Sequence, residues 1–187
     1  MHIFLYASMT RKLSESEVRK LGGEPSWGAA PANPFGSSVR KICGTGGHRI
    51  LVRNKFHFSS SLEASEQDIK RTVGDHARSF KRRFPMLEDV EMEYRWGGRL
   101  CLSRNGVQEF GEIEKGFFVA CCQNGLGASK ETLAGLFAVE HACGYENPYI
   151  EDQLNETQPT RLPPKPFAKI GATAYLNWQE WRAGLEK

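Results

Sequence analysis

Alternating and continuous apolar runs predict the strands of the first half of the chain. Residues 2–10 are almost wholly apolar and predict a buried strand. Residues 37–43 and 49–53 alternate polar and apolar positions around the glycine-rich segment 44–47, which predicts a β-hairpin. No Lys-Ser/Thr pair and no helical pattern follow these glycines, so a hairpin explains them better than a phosphate-binding loop.

A second alternating segment, residues 90–96, predicts a half-buried strand that Gly97 and Gly98 break. Residues 99–103 then resume an extended course. The proline- and glycine-rich residues 27–36 predict a loop.

Two helices are predicted from their capping signals. Ser14 and Glu17 form a capping-box pattern ahead of a short helix that ends at Gly22. Residues 65–84 form the longest helix, with Ser65 as its cap and one apolar stripe made of Ile69, Val73, Ala77 and Phe80. We expect His76 to lie at the boundary of this stripe.

Residues 116–144 combine an apolar strand, a glycine turn and an apolar helix. The strand is apolar on both faces, which predicts burial on both sides. Asn124, Gly125 and Gly127 permit tight, left-handed turns, and Gly144 marks the helix end. Such a unit directs unpaired backbone N–H groups toward an anion or an electron-rich ring. The alternative is that the unit only connects two layers, as in most α/β proteins.

The end of the chain carries weaker signals. Residues 145–165 are polar and proline-rich and predict a tail, and residues 172–185 predict a short packing helix. The fold class is α+β, with a mixed, largely antiparallel sheet flanked by helices. Three regions are expected: residues 1–96, residues 97–144 and residues 145–187.

Composition, net charge and the length of apolar stretches limit which kinds of protein this chain could be. The chain has 187 residues, 40% of them hydrophobic and 25% charged, which is ordinary for a globular protein. Its net charge of +3 is too small to indicate nucleic-acid binding, and the basic cluster at residues 81–83 suits the end of a helix. No apolar stretch is long enough to span a membrane, so we expect a cytoplasmic protein.

Five cysteines occur, and none forms a C-x-x-C pattern. Disulfides and a zinc site are therefore not expected, and buried free thiols in a reducing compartment fit better. No spacing indicates a metal site or a nucleophilic triad. By elimination, the best candidate site is the main chain from Asn124 to Thr132, with the predicted bend at Trp96–Arg99 nearby if the two strands pair.

Several motifs resemble the FAD-dependent D-amino-acid oxidase superfamily. Residues 96–106 read WGGRLCLSRNG and close at Phe110-Gly111, similar to the family's W-x-G…T-x-D-x-x-P-x-I-G segment. Residues 124–127 resemble its flavin-touching loop, and residues 132–135 the start of its C-terminal helix. The γ-glutamylputrescine oxidoreductase branch is most similar, because it shares F-P-x-L and P-F-A patterns, here residues 84–87 and 166–168.

The resemblance implies a substrate domain, together with the closing strand and helix of a flavin domain. It implies an enzyme that oxidises a C–N bond of an amine or amino acid by hydride transfer to FAD. The cofactor-binding residues that it implies are Asn124, Gly125, Leu126, Gly127, Ala128 and Ser129. Lys130 would be a nearby cation unless it points to solvent. The substrate-side candidates are Trp96, Gly98 and Leu100.

The family's N-terminal dinucleotide-binding fold has no counterpart in this chain. The resemblance thus implies that this half is elsewhere. The chain would then be a split subunit with a companion chain, a truncated gene product or an orphan paralogue, and we expect it to be inactive alone. Leu100 stands where amino-acid oxidases carry an arginine for the substrate carboxylate, which favours an amine. Covalent members use a cysteine near the position of Gly98, so FAD here is expected to be non-covalent.

Two alternatives stay open. The chain could be a non-catalytic interaction module or orphan paralogue that self-associates, which would shield the apolar strand. A nucleic-acid binder that uses Arg49, Arg53, Arg82 and Arg83 is disfavoured, because these cations lie on different elements without an aromatic platform.

Overall fold

The computed structural model describes residues 1–59, 63–125, 127–164 and 166–186, which form two compact units. The sheet unit comprises Phe4–Arg99 and Lys169–Lys187, and the hairpin unit comprises Met1–Ile3 and Leu100–Ala168. The sheet unit is therefore built from two separate stretches of the chain.

The chain contains both helices and strands, and three of its strand pairs are antiparallel, which confirms the α+β class. In chain order, the elements are β1 His2–Thr10, α1 Glu15–Leu21, β2 Trp27–Ala29, β3 Ser38–Gly44, β4 Gly47–Phe58, α2 Glu66–Arg83, β5 Met92–Cys101, β6 Glu109–Glu114, β7 Phe117–Cys121, α3 Thr132–Ala142, α4 Pro148–Leu154 and α5 Phe167–Arg182. Short 3₁₀ turns cover Pro85–Leu87 and Gly184–Glu186, and a π-helical turn covers Gly127–Glu131.

A five-stranded sheet with the order β2-β3-β4-β1-β5 forms the body of the sheet unit. Strand β3 is antiparallel to both β2 and β4. Gly44 is paired with Gly47, whose φ of 80° suits glycine, so the predicted hairpin is confirmed. The predicted loop at residues 27–36 is wrong in part, because Trp27–Ala29 adds an edge strand to β3.

Both predicted capping boxes are present. The Ser14 hydroxyl accepts the Glu17 N–H, and the Ser65 hydroxyl accepts the Asp68 N–H. Helix α2 packs Phe80 against the sheet. The core of this unit is apolar and buried; its members are Leu13, Val39, Ile50, Val52, Phe80, Phe84, Leu87 and Val90.

His76 is fully buried, so its predicted boundary position is wrong. Its Nδ1 lies 2.6 Å from Ser8 Oγ, and its Nε2 lies 3.3 Å from the carbonyl oxygen of Asn54. Both ring nitrogens therefore have partners, which removes most of the cost of burying a polar ring.

Strand β5 runs without interruption through Gly97 and Gly98, so the predicted break and bend are wrong. A Cβ on Gly97 would lie 3.0 Å from Cε1 of the buried Tyr6 ring. Glycine is thus needed here for a close approach between β5 and β1, and not for a turn.

The C-terminal helix begins at Phe167, earlier than the predicted 172, and the turn after it is anchored to the sheet unit. The Glu186 carboxylate accepts the Asn33 N–H at 2.8 Å, and the Glu186 carbonyl accepts the Ser37 N–H at 2.7 Å. Earlier in α5, Glu180 Oε2 lies 2.8 Å from Lys55 Nζ, and its Oε1 accepts the Phe56 N–H at 2.8 Å. These contacts tie the last residues of the chain to β4 and to the loop before β3.

The hairpin unit is built on β6 and β7, which pair antiparallel. Strand β6 was not predicted, because the glutamates of residues 109–114 obscure its alternation. The predicted burial of β7 on both faces is wrong: Phe117 is 56% exposed, and both ends of the strand reach solvent. Ala134 of α3 and Ile150 of α4 are buried in this unit.

Helix α4 lies in the predicted tail, which corrects that expectation. The Asn147 side chain accepts the Tyr149 N–H at 3.0 Å, and Pro148 occupies the first turn. Asparagine at the cap and proline at the first position are typical of a helix start, although the composition of residues 145–165 conceals them.

The expectation of buried thiols is also wrong. Four cysteines are exposed and Cys122 is half-buried; the exposed ones are Cys43, Cys101, Cys121 and Cys143. Among the described residues, no helix is both long enough and apolar enough to cross a membrane.

Candidate functional site

The turn after β7 is held by the side chain of Asn124. Its Oδ1 accepts the Ser103 N–H at 2.9 Å, and its Nδ2 donates to the Gly106 and Cys122 carbonyls at 2.9 and 2.6 Å. One amide side chain thus binds backbone groups of three residues, two of which lie in the segment that follows β5. This network explains the left-handed φ of 55° at Asn124, a conformation that asparagine tolerates better than most residues.

The turn is open above Gly125. This glycine has a φ of 85°, and no described heavy atom beyond its chain neighbours lies within 4 Å of a Cβ built on it. Leu126, one of the predicted cofactor-binding residues, lies outside the described residues. A planar group could therefore approach the backbone at Gly125 without meeting a described side chain.

A helical turn precedes the expected helix start. Helix α3 begins at Thr132, as the resemblance implied, and a π-helical turn at Gly127–Glu131 runs directly into it. Ala128, Ser129 and Lys130 are exposed. In the described part of the chain, no side-chain hydrogen bond caps the junction at Glu131. The first N–H groups of such a helix have no partner within the helix itself.

One acidic group lies close to these amides. A Cβ on Gly127 would meet the Glu131 carboxylate at 3.0 Å. This carboxylate lies at the positive end of the helix, where it is favourable, and it would have to rotate away for another anion to bind. Because it is the end of a flexible side chain, such a rotation is inexpensive.

Gln123 supplies a second polar group beside the turn. It is 5% exposed, and its Nε2 is buried without a hydrogen-bond partner among the described residues. A buried amide donor without a partner is costly in a protein interior. Sequence reasoning did not single out Gln123, since glutamine carries no spacing signal.

The substrate-side candidates lie on β5. Trp96, Gly98 and Leu100 occupy alternate positions of this strand, and Arg99 lies between the last two. Leu100 belongs to the hairpin unit together with the Asn124 turn, whereas Trp96 and Gly98 belong to the sheet unit. Within the described ranges, β5 pairs with β1 and β7 pairs with β6, so the strand pairing that would have brought Trp96–Arg99 near the turn is not present.

Trp96 is 39% exposed and borders an open groove of about 430 Å³ in the sheet unit. The groove also has two cations, one acid and two apolar side chains; these are Arg95, Arg99, Glu63, Phe4 and Ile69. The arginines were not predicted as site residues, because strand alternation places them opposite Trp96.

The part of the chain that the structure describes contains no candidate metal site. There, no three His, Cys, Asp or Glu side chains are grouped as metal ligands. The candidate site that the described residues form is the turn at Asn124 and Gly125 with the helical turn that follows it.

Part of the chain is similar in sequence to a known protein. Over 97 residues, 52% of the chain, the sequence is 29% identical to a probable oxidoreductase, OrdL, of Haemophilus influenzae, and this stretch is 22% of that protein. No model of a protein family matches the chain.

Two solved structures share the fold. The chain matches glycine oxidase from Geobacillus kaustophilus with a TM-score of 0.57 and 18% identity, over 79% of this chain and 36% of that enzyme. It matches L-proline dehydrogenase from P. horikoshii with a TM-score of 0.51 and 14% identity, over 81% of this chain and 38% of that one.

These likenesses show the fold: the chain shares its α+β architecture with parts of the two solved structures, as the sequence resemblance implied for the fold. The chain spans about a fifth of the curated relative and over a third of the two solved structures. The γ-glutamylputrescine oxidoreductase branch stays a prediction.

Proposed function

We propose that this chain is the C-terminal, substrate-domain part of an FAD-dependent oxidoreductase that oxidises a C–N bond of an amine or amino acid. The observation that carries the proposal is the open Asn124–Gly125 turn, which is followed by a helical turn from Gly127 on a fold shared with oxidoreductases. The two structural relatives are named for glycine and proline, each of which contains such a C–N bond.

The residues present fit one edge of a flavin. Gly125 leaves space that a Cβ would fill, and Gln123 holds a buried donor without a partner among the described residues. Gly127, Ala128 and Ser129 supply the first amides of the helix. Leu126 stays a prediction at this site.

Bound FAD would accept a hydride from the substrate. The chain's own contribution would be electrostatic. Amides that are already fixed in place stabilise developing negative charge without reorganisation, and losing one such donor typically costs about 3 kcal/mol. The positive end of a helix adds to this effect. Glu131 would have to turn outward, so its conformation would respond to cofactor binding.

A companion polypeptide is part of the proposal. The apolar residues of α3 point outward: Leu133 and Leu136 are each 52% exposed and Val139 is 62% exposed. A helix with this much apolar surface is normally covered. We infer that a dinucleotide-binding half covers this face and completes the cofactor site, which the present chain supplies only in part.

A second candidate rests on the same exposed face. Self-association through α3 and Phe117 would also bury it, and the chain would then be a non-catalytic module. This candidate predicts a stable oligomer that carries no flavin.

The test is co-purification of flavin. The chain is expressed alone and with dinucleotide-binding polypeptides from adjacent genes, and visible flavin absorption is measured after purification. Flavin in the pair but not in the single chain supports the proposal. A colourless pair, together with an oligomer of the single chain, supports the non-catalytic module.

A matched pair of variants tests the site itself. Gly125 and Gly144 have similar left-handed φ values of 85° and 76°, and no described atom crowds a Cβ at either position. Gly125→Ala and Gly144→Ala should therefore cost similar stability, roughly 1 kcal/mol each. Only Gly125→Ala should weaken flavin retention in the complex. Equal flavin retention in the two variants would contradict the assignment of this turn.

A further inference from the structure

Two cysteines that are distant in sequence meet beside the Asn124 turn. Cys101 ends β5, and Cys122 follows the last residue of β7. Their Sγ atoms lie 2.9 Å apart, although the residues are separated by 21 positions. Both belong to the hairpin unit.

We propose that Cys101 and Cys122 are a redox-active dithiol that closes to an intramolecular disulfide. The two sulfurs of a disulfide lie about 2.05 Å apart, so this contact of 2.9 Å leaves only about 1 Å to close.

The backbone around the pair is held independently of the sulfurs. Asn124 accepts the N–H of Ser103, two residues after Cys101, and donates to the carbonyl of Cys122. One side chain therefore clamps both segments, which gives each thiol a high effective concentration toward the other. Cys122 has a left-handed φ of 63°, unusual for a residue with a side chain, so its backbone is set by these surroundings.

The two thiols differ in access. Cys101 is exposed, so an oxidant reaches it first, while Cys122 is half-buried. Burial, together with the Cys101 thiol beside it, raises the pKa of Cys122 to about 12. Cys122 is therefore a neutral thiol at rest, which suits the resolving partner better than the attacking one.

The reaction balances with a small disulfide such as oxidised glutathione as the oxidant. The Cys101 thiolate attacks one sulfur of that disulfide, the S–S bond breaks, and one small thiol leaves. The Cys122 sulfur then attacks Cys101 Sγ in the mixed disulfide and expels the second small thiol. The chain loses two electrons and two protons, and the small disulfide gains both.

Closure would join the end of β5 covalently to the residues that enter the Asn124 turn. The redox state would thus set how freely this turn moves. The inference stands without the flavin proposal, because it concerns only contacts within this chain.

Thiol counting tests the proposal on the purified full chain. The reduced protein should show five free thiols, and mild oxidation with oxidised glutathione should leave three, since two enter the disulfide. The intact mass should fall by two hydrogen atoms, which distinguishes closure from stable glutathione adducts. After trypsin, residues 100–104 should be linked to residues 116–130.

Single variants separate this pair from its competitor. Cys121 also contacts Cys122, so a bond between these neighbours is the main alternative. Cys101→Ser and Cys122→Ser should abolish closure, whereas the matched control Cys121→Ser and the distant Cys43→Ser should retain it. In urea the preference for the 101–122 pair should disappear.

Two results would overturn the inference. One is a native protein that keeps all five thiols, or gains only adducts, in excess oxidised glutathione. The other is closure that survives in Cys101→Ser and disappears in Cys121→Ser, which would assign the bond to the adjacent cysteines.

Discussion

Ser8 Oγ and His76 Nδ1 lie 2.6 Å apart, and both residues are completely buried in the sheet unit. The carbonyl of Asn54 can only accept, so the His76 Nε2 that faces it carries the proton of the neutral ring. Nδ1 then accepts from the Ser8 hydroxyl. Both ring nitrogens of the neutral His76 ring therefore have hydrogen-bond partners, whereas the charged, doubly protonated ring is disfavoured.

This contact predicts a loss of stability in mild acid. Burial lowers the pKa of His76 below its ordinary 6.5, even though the Asn54 carbonyl opposes the shift. The unfolded chain then binds the proton more tightly, so the free energy of unfolding falls as the pH drops below 6.5 toward the folded pKa. Urea unfolding at about pH 7.5 and about pH 5.5 measures this loss.

The variant His76→Gln should lose about 1–3 kcal/mol near neutral pH but show a smaller decrease between the two conditions. His2→Gln, at an exposed position, should keep the wild-type decrease. A His76→Gln protein with the full wild-type decrease would refute the assignment.

Adjacent glycines on β5 should respond differently to alanine. At Gly97 the new Cβ would lie 3.0 Å from Tyr6 Cε1 and 3.2 Å from Ala64 Cβ, while at Gly98 the nearest atom, the Leu5 carbonyl oxygen, is 4.0 Å away. Gly97→Ala should therefore destabilise the protein by about 1–3 kcal/mol. Gly98→Ala should be neutral or stabilising by up to about 1 kcal/mol. Denaturant midpoints measure both, and equal shifts would disprove the close approach of Tyr6.

We expect the Glu180 carboxylate to stabilise the fold through a hydrogen bond as well as through its charge. It is 4% exposed, pairs with Lys55 and accepts the Phe56 N–H. Glu180→Ala removes both interactions and should cost about 3 kcal/mol. Glu180→Gln keeps an oxygen for the Phe56 N–H and should cost about half as much. Thermal or urea unfolding ranks the two, and the reverse order would show that the charge pair dominates.

Acid stability should depend on Glu17. The Arg11 guanidinium donates two hydrogen bonds of 2.9 and 2.8 Å to this carboxylate. Together with the Ser14 N–H, they lower the pKa of Glu17 to about 2. A depressed carboxyl pKa stabilises the fold above the ordinary value of 4.5, and this stability is lost as the pH falls toward 2.

Replacing Glu17 with Gln should reduce the loss of unfolding free energy as the pH falls from 4.5 toward 2, here called the acid limb. Glu15 on the same helix is 94% exposed, 3.5 Å from Arg19, and Glu15→Gln is the matched control that should leave the limb unchanged. Equal acid limbs for the two variants would show that the Arg11 contact does not persist in solution.

Local signals in the sequence were sufficient for much of the fold. The capping boxes at Ser14 and Ser65 and the glycine hairpin at residues 44–47 depend on neighbouring residues alone, and all three are present. Gly97 could not be interpreted correctly because its neighbour Tyr6 comes from a distant strand. His76 was misplaced for the same reason: its partners Ser8 and Asn54 lie far away in sequence.

The candidate site, too, was predictable only where its signals are local. The strand, the turn at Asn124 and Gly125 and the following helix are visible in the sequence, because glycine and apolar periodicity mark them. Two other features depend on tertiary geometry. One is the π-helical turn that begins at Gly127, and the other is the set of hydrogen bonds from the Asn124 side chain to Ser103 and Gly106. The contact between Cys101 and Cys122 also joins separate strands, so cysteine counting alone could not reveal it.

The sheet unit is split between residues 4–99 and the last stretch of the chain, and the Glu186 backbone anchors that stretch beside Ser37. During translation, this unit can therefore close only after α5 and the turn that follows it have left the ribosome. The whole of the intervening hairpin unit is synthesised before that point. Emergence of α5, rather than emergence of the first strands, would set the moment at which the sheet unit completes its fold.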